Sequence, residues 1–188
     1  MKDVIFFLLL TFAMAGNVQA RTYTVELLAF QRDDPAATDY YPPQPGEPDY
    51  ANSARLDELG FYQSSASSGK LGPEEYTLQK NGQGKTLLHL VWRQSIPGRL
   101  SPSKIHISSD PAGNAGEPPV LEGVISLGAG RFHHIGVDLL LRGARIPDAA
   151  IGKPQYQYYR MAEHRKMRSG ELHYIDHPKM GILVRIDR

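Results

Sequence analysis

The chain has no cysteine among its 188 residues. That removes disulfides, thiolate metal sites and any cysteine nucleophile, and leaves a packed core to hold the fold, which a chain of this length can build. It also has no excess of one charge: 21 Lys and Arg stand against 20 Asp and Glu, a net charge of +1. Nothing global therefore draws it toward nucleic acid. Long apolar runs are missing except at the start, between Val4 and Ala15, and that run falls short of the roughly 20 residues a membrane span requires. There is no G-x-S-x-G. The sequence "GQGKT" at 82–86 resembles the end of a phosphate-binding loop, but Gln79 stands where that pattern requires its first glycine. A strand-like run follows it, where a phosphate site needs a helix N-terminus. No cofactor, nucleic-acid or catalytic signature is present.

What is there begins with an address. Lys2, the apolar run, the helix breakers Gly16 and Asn17, and the small residues of Val18-Gln19-Ala20 form the three parts of a cleaved secretory signal. The expected division is a signal peptide over 1–20 and a mature single domain over 21–188, beginning at Arg21 and carrying no integral membrane segment. No cysteine stands at the cleavage site, which excludes a lipid anchor there. An exported chain without cysteine fits a bacterial envelope better than a eukaryotic extracellular setting.

The mature region is dominated by strand patterns. Residues 21–32, "RTYTVELLAFQR", are almost continuously apolar and predict a central strand. Residues 33–53 hold five prolines, five acidic residues and no cation, which predicts a solvated loop or, as the alternative, a partner-binding segment. Pro73, Glu74, Glu75 and Asn81-Gly82 punctuate a helix across 72–82. Residues 85–96 predict a buried strand, and 103–110 a shorter one with Ile105 and Ile107 on its dry face. Residues 120–128 and 131–142 predict an antiparallel hairpin, because the link at Gly128–Gly130 is so short. Beyond a loop at 147–154, the remainder supplies two or three more strands. Parallel β-α-β spacing is absent. The fold class expected is α+β, a mainly antiparallel sheet with one or two short helices in a single domain.

Polar clusters crowd the C-terminal third. Residues 165–178, "RKMRSGELHYIDHP", pack Glu171, His173, Asp176 and His177 behind three cations. Tyr174 and Ile175, bracketed by Gly170 and Pro178, favour a strand. Two histidines four residues apart on a strand are about 13 Å apart, too far to share an ion. A metal at Glu171 and His173 would need a third ligand, with His133 or His134 as candidates. Along 160–168, strand alternation puts Arg160, Ala162, His164, Lys166 and Arg168 on one face, opposite Met161, Glu163, Arg165 and Met167. Such a cationic ladder is either a charged sheet face that discourages aggregation or a groove for an anionic polymer.

The segments "YTVELLAFQR", "LLHLVWRQ", "LEGVISLGAGRFHHIGVDLLLR" and above all "RKMRSGELHYIDHPKMGILV" resemble the CsiV-type peptidoglycan-binding proteins of Gram-negative bacteria. The resemblance covers the predicted strands and leaves out the Pro-rich loop and residues 97–119. It departs at Lys166, where a second arginine is usual, and at Phe132-His133, where Tyr-Leu is usual. It implies a periplasmic, non-enzymatic protein that binds peptidoglycan and supports cell-wall assembly and cell shape. Peptidoglycan is then the partner, with cell-wall synthesis proteins as further ones. The ligand-binding residues expected are Arg165, Lys166, Arg168 and His173, with no catalytic residue, metal or cofactor, and with Trp92 or Tyr174 as aromatic platforms for sugar rings. Leu172 and Tyr174 are expected in the core, and Asp176 at the turn over 177–181. The alternatives are an accessory that regulates a cell-wall synthase through the loop at 33–53, and a metal-dependent wall hydrolase using Glu171 and His173.

Overall fold

A computed structural model describes residues 21–32, 44–110, 117–146 and 155–188. The strands are β1 (Thr22–Gln31), β2 (Ser53–Arg55), β3 (Tyr62–Ser64), β4 (Lys85–Ser95), β5 (Ser103–Ser108), β6 (Leu121–Ala129), β7 (His133–Arg145), β8 (Tyr156–Met167), β9 (Leu172–His177) and β10 (Met180–Asp187). One α-helix, α1 (Gly72–Lys80), and a 3-10 turn at Ala66–Ser68 complete the described elements. The strands form two five-stranded sheets, ordered β3-β4-β1-β10-β9 and β2-β5-β6-β7-β8. All pairings are antiparallel except the short parallel contact of β2 with β5.

The expected α+β class with a mainly antiparallel sheet and few helices therefore holds. What periodicity does not reveal is that the strands divide into two sheets. One apolar cluster joins them: Val25, Leu27, Trp92, Ile182 and Val184 from the first sheet meet Ile105, Ile125, Leu127, Ile135 and Leu139 from the second, all fully buried or nearly so. Two sheets packed face to face lie about 10 Å apart, so these side chains fill the gap between them.

The near-continuous apolar run of β1 follows from its being covered on both faces. Val25, Leu27 and Ala29 enter the shared core. Glu26, Leu28 and Phe30 point the other way and are also buried, beneath the segment that leads into α1. Glu26 is the polar centre of that layer. Its carboxylate accepts from the backbone N–H of Lys70 at 2.7 Å and of Leu71 at 2.9 Å. His89 bridges it to the helix, with Nε2 2.9 Å from Glu26 and Nδ1 2.7 Å from Glu75. A buried carboxylate is tolerable only with this many partners. Pro73 in the first turn, Glu74 and Glu75 near the positive end, and Asn81 at the C-cap explain where α1 starts and stops. Gly82, at φ 61°, turns the chain into β4, so "GQGKT" is a helix-to-strand corner.

Two expectations are corrected. Leu172 and Tyr174 are not core residues: they are 41% and 48% exposed, whereas Ile175, next to Tyr174, is fully buried. The reason is register. Ile175 stands opposite Ile182 and His173 opposite Val184, both core positions of β10, so the odd-numbered residues of β9 face inward. Tyr174 instead stacks on Phe30 at 6.2 Å on the outer side of the first sheet. Asp176 does not serve the turn either. It accepts from Arg32 at 2.8 Å and from the Tyr174 hydroxyl, while His177 Nδ1 accepts the turn N–H of Lys179 at 3.2 Å. Residues 44–52 are the largely exposed loop expected, and they strap across the outer face of the second sheet with Pro48 buried; residues 33–43 of the same expectation lie outside the described residues.

Candidate functional site

The outer face of the second sheet carries the ladder predicted from alternation. Register places His134 opposite Lys166, Gly136 opposite His164, Asp138 opposite Ala162 and Leu140 opposite Arg160. Directly opposed residues share a face, so these side chains form one surface. Gly136 keeps its centre low: a Cβ there would strike the Ser126 hydroxyl and the His164 ring.

The cations of the ladder are unequal. Arg160 is neutralised by a two-point pair with Asp138, at 2.7 and 2.9 Å, and donates to the strap carbonyl of Gly46 at 3.1 Å. It therefore fastens the strap. Lys166 has no carboxylate partner among the described residues; its ammonium sits 3.9 Å from the centre of the Phe132 ring. Phe132 lies in the link between β6 and β7, which antiparallel pairing brings beside the end of β8. Two more cations attend the ring, Arg168 at 5.6 Å and Arg131 at 5.7 Å. One aromatic ring thus gathers three positive charges at one end of the sheet. Each contact is worth about 0.5–1 kcal/mol where exposed, enough to orient the side chains against their mutual repulsion. The Arg99 segment closes this end from the side, with its N–H donating to the Ala129 carbonyl at 3.0 Å.

Among the described residues, the one carboxylate that meets these cations is Glu171. It accepts from the Arg168 N–H at 2.8 Å, from its guanidinium at 3.3 Å and faces His173 Nε2 at 3.3 Å. The backbone N–H of Arg168, then His173, hold the Glu171 carboxyl below its ordinary range. Arg168 remains largely exposed, with 73% of its side chain open to solvent.

Of the four expected ligand residues, the structure brings together Lys166 and Arg168. Arg165 lies on the opposite face of β8, paired with Glu163 at 2.8 Å. His173 sits on the inward face of β9 beside Glu171. Among the described residues no group of three or more acidic or histidine side chains could hold a metal ion. Buried His133, packed edge-on against Tyr23 at 4.7 Å, is held by burial below its ordinary pKa. The aromatic platforms also change. Trp92 is fully buried, and its indole N–H is donated to Gln94, so it cannot meet a sugar. Sequence reasoning missed Arg131 and Phe132 as site residues. The signal was available: a hairpin link of this length places its tip beside the end of the next strand.

The model of one protein family, described as "Peptidoglycan-binding protein, CsiV", matches residues 4–188, essentially the whole chain. The chain belongs to the CsiV family. No curated protein and no solved structure matches it. Within a family of peptidoglycan-binding proteins, a cationic–aromatic cluster at one end of an open sheet face is a surface of suitable chemistry. Muramyl and stem-peptide carboxylates are anionic, and guanidinium and ammonium groups donate to them.

Proposed function

We propose that this protein is a periplasmic, non-enzymatic peptidoglycan-binding protein that supports cell-wall assembly and cell shape, and that it holds the wall polymer at the Phe132 end of the second sheet. The observation that carries this reading is the convergence of Arg131, Lys166 and Arg168 on Phe132. Lys166 and Arg131 have no carboxylate partner among the described residues, so their donors are open to the carboxylates of a ligand. The signal-like first 20 residues support the compartment. Glu171 bonds both Arg168 and His173, an arrangement that orients a cation. The adaptor reading asks residues 33–53 to offer their tyrosines to a partner protein, and Tyr50 is turned onto His106 instead, edge to face at 5.1 Å.

The test is co-sedimentation of the protein with purified sacculi. The expected result is sedimentation above a control protein at physiological salt, declining as salt is raised, because exposed ion pairs are screened. Absence of sedimentation in low and physiological salt would remove the reading.

A further inference from the structure

The strap encloses something at the other end of the same face. Between it and the sheet lies a cleft of about 670 Å³ lined by Pro45, Glu47, Tyr50, Ser53, His106, Glu122, Leu140 and Tyr158. Tyr158 and Lys166 are eight residues apart on β8, so the cleft lies roughly 26 Å along the strand from the cationic end. Its size is that of a small-molecule site.

The strap is fixed over the cleft by named contacts. Lys104 donates to Asp49 at 2.7 Å and to the Ala51 carbonyl at 3.2 Å. Arg160 holds Gly46, and Gln44 donates to the Tyr156 carbonyl at 3.1 Å. These pairs consume the nearby cations outside the cleft. Inside it, Glu47 and Glu122 have no ion-pair partner among the described residues. The Tyr50 hydroxyl is pushed up to about 12 chiefly by burial, with Glu122, Glu47 and Asp138 adding to the rise and Arg160 opposing it. His106 adds a second, independent sign of an absent partner: its Nε2 is buried and has no hydrogen-bond partner among the described residues. A buried polar atom left without a partner costs stability unless something completes it.

We infer that this cleft is a second binding site, for a primary ammonium group carried on a short aliphatic stem. Glu47 and Glu122 supply the counter-charge, His106 lines the same space, and the Tyr50 and Tyr158 rings offer π-faces to the cation. Leu140 and Pro45 supply the apolar surface for the stem. An anionic ligand meets two uncompensated carboxylates here, and an uncharged sugar leaves them without a counter-ion. The site stands whether or not the cationic end holds wall polymer, because none of its residues belongs to that cluster.

The experiment is a chemical-shift titration of the protein with n-pentylamine, with 1-pentanol and N-acetylglucosamine as matched probes, on the wild type and on Glu122→Gln and Glu47→Gln. Pentylamine should bind saturably and shift resonances of Tyr50, His106 and Tyr158, with pentanol and the sugar at least tenfold weaker. Each Gln variant should weaken the amine at least tenfold while its dispersed spectrum and its sedimentation with sacculi stay unchanged. Equal binding of amine and alcohol, a preference for the sugar, or unaltered amine affinity in both folded variants would overturn the assignment. Loss of sacculus binding alone, in the wild type, would count against the cationic end and leave this site standing.

Discussion

The two outer faces of the sandwich carry the same kinds of side chain and use them in opposite ways. On the first sheet, Glu26 and His89 are each about 5% exposed, and both ring nitrogens and both carboxylate oxygens have partners. On the second sheet, Lys166 and Arg131 rest on an aromatic ring and no carboxylate among the described residues answers them. The difference is the cover. A helix and its leading segment close the first face, so any charge there must be satisfied by protein. The strap closes only part of the second, and charges beyond it are free to serve a ligand. Residue type alone does not separate architecture from function; the layer above the residue does.

The largest effect should come from breaking the closed face. His89→Ala leaves the Glu26 carboxylate short of a partner in a buried site, and removing one member of such a pair costs about 3–5 kcal/mol. Urea unfolding of the variant measures this, and a loss below about 1 kcal/mol would mean that the network is not load-sharing as its geometry requires. Next is the register of β9. Ile175→Ala should cost about 2–5 kcal/mol, as a core truncation does. Leu172→Ala, on the exposed side, should cost within about 0.5 kcal/mol. The same unfolding assay checks both, and a reversal of their order would place β9 the other way up.

A pH effect comes third. His133 and His177 both have folded pKa values held below 6.5, chiefly by burial. A histidine depressed on folding binds its proton more readily in the unfolded chain, so stability should be full above about 6.5 and fall as pH drops from there toward the folded values. His133→Leu should flatten that part of the stability profile, measured by urea midpoints from pH 7.5 to 5. An unchanged slope would show that His133 is not the group titrating.

Much of this was legible in the sequence, for reasons that can be traced. The central position of β1 followed from its unbroken apolar run, and the β6–β7 hairpin from its short link. The helix at 72–80 followed from proline, acid and Asn-Gly punctuation. The facing of β9 was legible only in part. Alternation sorts Ile175 from Leu172 and Tyr174, but both sets contain apolar residues, and only pairing with Ile182 and Val184 decides which is inside. The strap escaped because prolines announce what a segment cannot become, not where it lies. At the candidate site, Lys166 and Arg168 were visible as charge on a strand. Phe132 and Arg131 became their neighbours only through a register that links residues more than thirty positions apart.

The central claim is that binding resides in the open, Phe132-centred cations and not in positive charge at large. The direct measurement is sacculus co-sedimentation of Arg131→Ala/Lys166→Ala beside Arg165→Ala/Arg160→Ala, double variants that remove equal charge. The first pair should lose most binding, roughly tenfold or more if two charge-assisted contacts of about 1 kcal/mol each are removed, with unfolding midpoints near wild type. The second should keep its binding. Equal losses in both, or loss confined to the second, would contradict the account.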